Sequence, residues 1–315
     1  MTAFIFRRLL SAIPVLFIVS LVTFMIMWLV PGDISAEIAG TDATPEDLAA
    51  IRERLGLDRP IWERALAWYA ALAKGDLGYS YLLNRSVADA VLERLPVTLS
   101  LAGLALVLAT VMGVLLGIFA AIRHNTIFDQ GAMVTALLGL SIPDFWFGIV
   151  LIIFFGVWLG WLPTGGFIPF SEDPAGWLRS MILPAFTLAV TQMGFIARMT
   201  RSAMLDVLNQ DYIRTARAKG MTSGTVIFVH ALRNAMIPIV TVVGVLTGVL
   251  LSGAVVIEMV YSLPGVGRLI VGAIQRRDFP IIQGGLLITA CVFVFVNILV
   301  DIIYVWIDPR VRDER

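Results

Sequence analysis

The chain has 315 residues, of which 59% are hydrophobic and only 15% charged, and its formal net charge at pH 7 is zero. Soluble domains are about 45–50% apolar and about 25% charged, so this composition excludes an ordinary water-soluble protein. The charge balance gives no indication of nucleic-acid binding, and the single cysteine excludes an internal disulfide or a cysteine metal cluster.

Six stretches of 18 or more residues lack Asp, Glu, Lys and Arg: 9–32, 95–122, 145–171, 180–197, 234–257 and 279–300. A helix of about 20 apolar residues crosses the roughly 30 Å core of a bilayer. The sequence therefore predicts an all-α membrane protein with six transmembrane helices. The first lies in 1–30, and the others are predicted near 97–122, 133–160, 180–199, 235–257 and 282–305, within a core of 95–310.

The first apolar run follows Arg7 and Arg8, as it would in a signal peptide. It extends to Val30, and so exceeds the apolar region of about 7–15 residues that signal peptides have. We interpret it as the first membrane helix, with an uncleaved signal peptide as the minor alternative.

The segment 31–94 between the first two spans has the signals of a small helical domain. Thr44 is a predicted N-cap followed by a proline, and that helix continues through 49–55 and ends at Gly56. A second helix is predicted over 61–73, with Gly75 just beyond its end.

The distribution of Lys and Arg predicts the orientation of the chain. With six spans, 12 basic residues fall on the side of the termini and 11 on the other side. Seven of those 11 lie in the long segment 31–94, and long translocated segments count little toward orientation. We therefore expect both termini in the cytoplasm and the segment 31–94 outside it.

Few ionisable or polar side chains lie near membrane depth. The carboxylates are Asp144, Glu258 and Asp301, with Arg310 within reach of the last if the chain turns back. Intramembrane charges often serve ion pathways, but proton relays usually contain several such groups, so structural or interfacial roles are favoured. Gln192 and Asn297 are expected to form interhelical hydrogen bonds. The candidates for a translocation path are Asp144, Gln192 and Asn297.

Several catalytic arrangements are missing from the sequence. Neither Lys74 nor Lys219 belongs to a G-x-x-x-x-G-K-[ST] loop, so the chain is not itself a P-loop ATPase. The two histidines, His124 and His230, are far apart and leave no metal site of ordinary spacing.

Pairs of glycines four residues apart predict close helix packing, and they occur at 113/117, 156/160 and 244/248.

The predicted cytoplasmic loop 198–233 contains a short helix with its own start and stop signals. Asp211 is the predicted N-cap, residues 212–219 form two turns, and Gly220 suits a left-handed cap. Thr222 or Ser223 is placed to cap the next helix.

Eight residues do not form a stable helix alone, so something must hold this one. Ala216 and Ala218 leave little bulk, which permits close docking of a partner, while Tyr212 and Met221 offer apolar contact. Composition alone leaves two alternatives open, a docking element and a solvated connector.

The loop sequence DYIRTARAKG at 211–220, followed by HALRNAMIP at 230–238, resembles the EAA loop of binding-protein-dependent ABC transporter permeases. More narrowly, the chain is similar to the dipeptide/oligopeptide/nickel permease group. Further matching segments are LGLDRP at 55–60, GDLGYS at 75–80, LPVTLS at 95–100, SIPDFW at 141–146, EMVYSLPGVGR at 258–268, DIIY at 301–304 and DPR at 308–310.

Two departures from the general permease pattern are shared by the peptide group. Arg214-Thr-Ala216 stands where Glu-Ala-Ala would stand, and Pro238 lies farther from Gly220 than in sugar-type permeases. These differences narrow the assignment to the peptide group and leave the role of the loop intact. The missing glutamate removes only the basis for a charge-based contact at Arg214.

The resemblance implies a non-catalytic permease subunit of an ATP-driven importer in the bacterial inner membrane. It implies a second homologous permease, two cytoplasmic ATPases that bind ATP and Mg²⁺, and an extracytoplasmic solute-binding protein, with no cofactor in this chain. The implied ATPase-coupling residues are Tyr212, Arg214, Ala216, Arg217, Ala218, Lys219, Gly220 and Met221.

Two other classes of protein compete with this interpretation. An ion-coupled secondary transporter or channel would rely on Asp144 and Asp301, and a membrane-embedded enzyme lacks a matching set of catalytic residues. Members of the resembling group carry dipeptides, longer peptides, glutathione, nickel chelates, opines or sugars, and the sequence does not select among these substrates.

Overall fold

The computed structural model describes residues 2–29, 35, 44–54, 56 and 58–307, and these ranges are mainly helical. The helices are α1 (Thr2–Leu29), α2 (Pro45–Arg54), α3 (Ile61–Ala73), α4 (Val87–Leu92), α5 (Leu95–Ile122), α6 (Ile127–Ser141), α7 (Asp144–Leu151), α8 (Pro174–Leu208), α9 (Asp211–Ala218), α10 (Leu232–Val260), α11 (Val266–Gln275) and α12 (Phe279–Ile307). Two π-helical segments, Ile152–Trp158 and Thr225–Ala231, adjoin α7 and α10. Strands β1 (Tyr79–Ser80) and β2 (Arg85–Ser86) pair antiparallel.

The long helices confirm an all-α membrane architecture. By length and composition, 5 helices of the described residues can cross a membrane, and up to 6 if the bent pair Ile127–Ser141 and Asp144–Trp158 counts as one span. Long apolar stretches fold as helices in lipid because a helix satisfies its own backbone hydrogen bonds, and this explains the all-α class. The cytoplasmic location of the termini stays a prediction, and Arg310 lies outside the described residues.

The predicted third span, 133–160, is wrong as a single helix. It consists of α6 and a second piece, α7 with its π-helical continuation, and the two are bent by 104°. The break falls at Pro143, preceded by Ile142 in an extended conformation with ψ 126°. Proline disfavours the helical region for the residue before it, so the apolar run contains a sharp corner that composition alone does not indicate.

The predicted second, fourth, fifth and sixth spans lie inside longer helices, and α1 covers the described part of the first. The largest difference is at α8, which the sequence predicted over 180–199 and which the structure extends to Pro174–Leu208. The predicted loop 198–233 therefore begins inside a continuous helix, and the non-helical connection to α9 is only Asn209 and Gln210. The sequence prediction ended this helix too early, because polar residues after Ala197 interrupt the apolar run although the helix itself continues to Leu208.

In the segment between the first two spans, the two predicted helices are confirmed as α2 and α3. Gly56 and Gly75 follow them with φ of +65° and +80°, which is the left-handed conformation expected of helix-ending glycines. The β1–β2 hairpin was not predicted. Its strands have only two residues each, too short to produce an alternating pattern, and Asn84 turns between them with φ of 51°.

The chain divides into two compact units, the first formed by residues 1–96 and 264–295 and the second by 97–263 and 296–315. The described part of the first unit has a core in which α4 and the short helix α11 pack with the start of α12. Val87 and Ile281 are fully buried there. Gly284 allows close approach, because a Cβ at this position would overlap the Val87 side chain.

In the second unit, α5, α7, α8 and α10 share one core that includes the fully buried Leu101, Leu188 and Leu250. Glycine explains the close approach of α5 to α8, since a Cβ at Gly113 would lie 2.8 Å from the Ile196 Cβ. Gly117 makes the equivalent approach one turn later, against Ala197 and Thr200. Helices associate in membranes largely through such packing, so the predicted role of this glycine pair is confirmed.

The other two glycine pairs behave differently. Gly244 faces Val300, so a close contact joins α10 to α12. The 156/160 pair does not lie on a helix face, because Gly160 has φ of +64° and Gly156 packs against Thr164 of the following loop. The prediction of a helix-packing pair is wrong at that position.

Candidate functional site

The short helix of the predicted cytoplasmic loop exists as α9, shifted by one residue from the prediction. Gln210 is its N-cap, in an extended conformation with ψ 149° and without a side-chain cap. Asp211 is therefore the first helical residue instead of the N-cap. Its side chain is 96% exposed and lies 3.4 Å from the Arg214 Nη1. The carboxylate still lies at the positive end of the helix dipole, where a negative charge is favourable.

The end of α9 is capped as predicted. Gly220 has φ of +77°, and its N–H donates to the Arg217 carbonyl at 2.9 Å. The Met221 N–H donates to the Ala216 carbonyl at 3.3 Å. These two bonds form a Schellman motif, in which the residues after the helix satisfy its last carbonyls. Any residue other than glycine would be strained at 220.

Two side chains of α9 anchor it to the chain itself. Ile213 is 0% exposed and Ala216 is 7% exposed, and both belong to a core cluster with Met204 of α8 and Val226 of the π-helical segment before α10. The helix therefore is not a solvated connector, and its stability comes from this apolar contact. We call the contact of Ile213 and Ala216 with Met204 and Val226 the apolar seat of α9. The expectation that Ala216 leaves room for a partner is wrong, because its methyl group faces the chain's own core.

A polar contact adds to this seat. The Asn234 Nδ2 donates to the Tyr212 Oη at 2.7 Å and to the His230 carbonyl at 3.2 Å. Asn234 lies in the first turn of α10, so the hydrogen bond joins α9 to the helix that re-enters the predicted membrane region. At the start of the intervening segment, the Thr225 N–H donates to the Thr222 Oγ1 at 3.4 Å, as predicted for a cap at 222.

The surface of α9 that points away from the seat is cationic. Of the eight predicted coupling residues, Ala216 faces inward and the others are exposed: Tyr212, Arg214, Arg217, Ala218, Lys219, Gly220 and Met221. Tyr212 and Met221 are 44% and 41% exposed, so they offer apolar area at the edge of the charged face. This face is available for a partner, whereas the opposite face is occupied.

A buried ion pair near the same end of α8 was not predicted. The Arg201 Nε lies 2.5 Å from the Asp129 Oδ1, and its Nη2 lies 2.7 Å from the Oδ2. The Asn125 N–H also donates to that carboxylate at 3.0 Å, and His124 Nδ1 lies 3.1 Å from the Arg201 Nη2. The Asp129 side chain is only 3% exposed. This bidentate pair joins the first turn of α6 to α8.

The three candidates for a translocation path are distributed over three helices. Asp144 begins α7, and its carboxylate accepts a hydrogen bond from the Thr191 Oγ1 of α8. Gln192, the next residue on α8, is 7% exposed. Asn297 lies half-buried on α12. The structure thus brings Asp144 close to the neighbour of Gln192, and the Asp144–Thr191 bond holds α7 against α8.

The carboxylate of Glu258 is buried near the end of α10 and accepts a hydrogen bond from the Thr98 Oγ1 at 2.6 Å. Tyr261 is also fully buried, with its Oη 2.8 Å from the Thr187 Oγ1 and donating to the Gly148 carbonyl at 3.2 Å. These contacts join α10 to α5, α7 and α8. Glu258 therefore helps to hold α10 against α5, in agreement with the structural role favoured for it.

Within the described residues, no three His, Cys, Asp or Glu side chains are grouped as metal ligands would be. A short helix is seated on the membrane core by its apolar face and presents a cationic face outward.

Two family models match the chain. Residues 113–313 match the "Binding-protein-dependent transport system inner membrane component". Residues 1–102 match the N-terminal part of the membrane component of a binding-protein-dependent transport system.

Known relatives match over the whole length. A protein of Brucella abortus (strain 2308) that carries the name of a peptide transport system permease is 50% identical over 312 residues, covering 99% of both chains. The di/tripeptide transport system permease DppB of Pseudomonas aeruginosa (strain UCBPP-PA14) is 41% identical over 336 residues, covering 100% of both. The dipeptide permease DppB of Escherichia coli (strain K12) is 41% identical over 339 residues, again covering 100% of both.

Two solved structures share the fold. The methionine ABC transporter MetNI, in inward-facing conformations, has a chain that superposes with a TM-score of 0.54 at 18% identity, over 67% of this chain and 92% of that one. An amino acid ABC transporter with histidines gives a TM-score of 0.50 at 16% identity, over 71% and 94%.

Proposed function

The chain belongs to the family of binding-protein-dependent transport system inner membrane components, and from this premise we propose that it forms half of the translocation path of an ATP-driven importer for short peptides. It is a non-catalytic, multi-pass permease of the bacterial inner membrane, and this family implies ATPase and substrate-binding partners. The finer arrangement that we propose has one homologous permease, two ATPases that hold ATP and Mg²⁺, and one extracytoplasmic binding protein.

The observation that carries the proposal is the two-sided environment of α9. Ile213 and Ala216 fix the helix to the core, whereas Arg214 and Arg217 are exposed. An eight-residue helix depends on its contacts to stay folded, and the exposed face of α9 is accessible to a partner that would move it. We assign that contact to an ATPase subunit, whose closure would displace α9 together with the ends of α8 and α10. Such rigid-body displacement switches a transporter between two packed states.

Peptides are the proposed cargo because the similar proteins named above are peptide, dipeptide or di/tripeptide permeases. The competing ion-coupled transporter is disfavoured by family membership. The carboxylate of Asp144, which such a transporter would use, accepts a hydrogen bond from Thr191.

Reconstitution in proteoliposomes tests this function. The permease pair with its ATPases and a peptide-loaded binding protein is expected to accumulate labelled dipeptide only when ATP is supplied. The same chain without the ATPases should give no accumulation. Concentration of solute against a gradient by this chain alone would refute the proposal, and calorimetry on the cognate binding protein would identify the cargo independently.

A further inference from the structure

A cleft of about 350 Å³ in the first unit is lined by three arginines. Arg94 immediately precedes α5, Arg268 lies in the first turns of α11, and Arg276 directly follows that helix. The charge distribution predicts all three on the extracytoplasmic side of the membrane. Three cations around one small concave space are unusual in a membrane protein with so few charged residues, and their positive potential attracts anions.

One carboxylate, Asp278, also lines the cleft, but it is used by the fold. It is 5% exposed, and it accepts hydrogen bonds from the Ser80 hydroxyl and from the Ile281 N–H, the latter at 3.4 Å. These bonds tie the β1–β2 hairpin to the first turn of α12. Arg94 and Arg276 alone outnumber this carboxylate, so the lining carries an excess of positive charge.

The neighbouring carboxylate does not neutralise Arg94 either. Glu93 pairs with Arg85, with 2.7 Å between its Oε2 and the Nη2. Within the described part of the chain, neither the Arg94 nor the Arg276 guanidinium takes part in a hydrogen bond or ion pair. Both are therefore available to a ligand, and a guanidinium prefers a planar, bidentate acceptor such as a carboxylate.

The remaining wall of the cleft is largely apolar. Leu82 and Leu83 from the hairpin and Leu269 from α11 face the same space as the arginines. Small-molecule sites are typically about 300–1,000 Å³ and combine apolar walls with a few placed polar groups. The volume and lining suit a small molecule that has a carboxylate at one end and an apolar side chain next to it.

We propose that this cleft receives the C-terminal carboxylate of a di- or tripeptide, with the last side chain against the leucines. The site rests on the proposed function, since that function supplies peptides as the cargo. Arg94 and Arg276 are the carboxylate-binding residues, and the cleft selects for a free C-terminus at the extracytoplasmic side of the permease.

Binding of alanyl-leucine and of its C-terminal amide to the assembled importer tests the site. The complex is placed in phosphatidylcholine nanodiscs without the binding protein, so that peptide bound by the binding protein does not contribute to the signal. The variants are Arg94→Gln and Arg276→Gln, and the matched control is Arg277→Gln. Arg277 neighbours Arg276 and carries the same charge, but it does not line the cleft.

The free peptide is expected to bind at least about tenfold more tightly than the amide, as a charge-assisted hydrogen bond would give. Each cleft variant should weaken binding of the free peptide about tenfold and leave the amide unchanged, whereas Arg277→Gln should match the wild type. Equal binding of peptide and amide, equal loss in the control, or no saturable binding at the concentrations that saturate uptake would overturn the proposal.

Two further measurements separate the alternatives. If nanodiscs with phosphatidylglycerol show lipid binding that Arg94→Gln and Arg276→Gln abolish, while peptide binding is unaffected, the cleft is a lipid site and the proposal fails. ATP-dependent dipeptide uptake is measured with the same complexes and the binding protein. Uptake without selectivity for the free carboxylate would refute only the proposed peptide-binding role of the cleft. Absence of dipeptide uptake in the wild type would refute the proposed importer function.

Discussion

Replacing Ile213 by alanine tests whether α9 is held by its own chain. The side chain is 0% exposed and packs with Met204 and Val226. A buried isoleucine-to-alanine change costs about 2–5 kcal/mol, and we expect about 3 kcal/mol because the short helix can partly relax. Since 1.4 kcal/mol is a factor of ten, opening of the seat should become roughly 100-fold more frequent.

Hydrogen exchange of the backbone amides in 211–220 measures this opening directly, because α9 has too few residues to stay helical when undocked. In the reconstituted complex, Ile213→Ala should speed exchange in 211–220, leave exchange in α11 unchanged, and lower transport per ATP hydrolysed. The matched control is Val229→Ala, since Val229 belongs to the adjoining π-helical segment but is 56% exposed.

The control is expected to change stability by no more than about 0.5 kcal/mol. If Ile213→Ala exchanged at the wild-type rate, the apolar seat would not hold α9. If exchange rose but coupling stayed intact, the seat would be real and the force would enter the permease elsewhere.

Two further predictions concern the same end of the bundle. Ala218→Leu should fold normally and lower uptake per ATP hydrolysed, whereas Ala216→Leu should destabilise the protein by about 1–3 kcal/mol through overpacking. The reverse pattern would place Ala216 on the partner face. Asp129→Asn should lower the unfolding temperature, at a cost of about 3 kcal/mol, because it leaves Arg201 without its carboxylate. Adding Arg201→Gln should recover part of that loss, and strictly additive losses would mean that the pair is not coupled.

The membrane-spanning helices could be predicted because each is encoded by a local property, a long run without charge. The corner at Pro143 was missed because long apolar runs lie on both sides of Pro143 and Asp144, although a proline in a predicted helix interior is itself a signal. The extension of α8 was missed for the opposite reason. Its residues after Ala197 are polar, but they continue a helix that tertiary packing supports.

The candidate site was only partly encoded locally. Gly220 could be assigned because a helix-ending glycine has a conformational signature, whereas the N-cap was wrong by one residue. Ile213 and Ala216 are three residues apart on one helix face, a spacing that could have indicated a buried side. The Asp129–Arg201 pair carries no local signal, since 72 positions separate the two residues.

Helix α8 connects these features physically. Arg201 and Thr191, ten positions apart and so about 15 Å along the axis, bind Asp129 of α6 and Asp144 of α7. Both halves of the bent pair are therefore attached to one helix, on either side of their corner. Pro184 weakens the helical hydrogen bonding before these attachment points, whereas α8 has no proline after it. A displacement of α9 enters α8 at its proline-free end, and it reaches both attachments before it reaches the weak point. In the proposed switching, a displacement of α9 that reaches the end of α8 would either move the bent pair with it or break one of these two polar contacts.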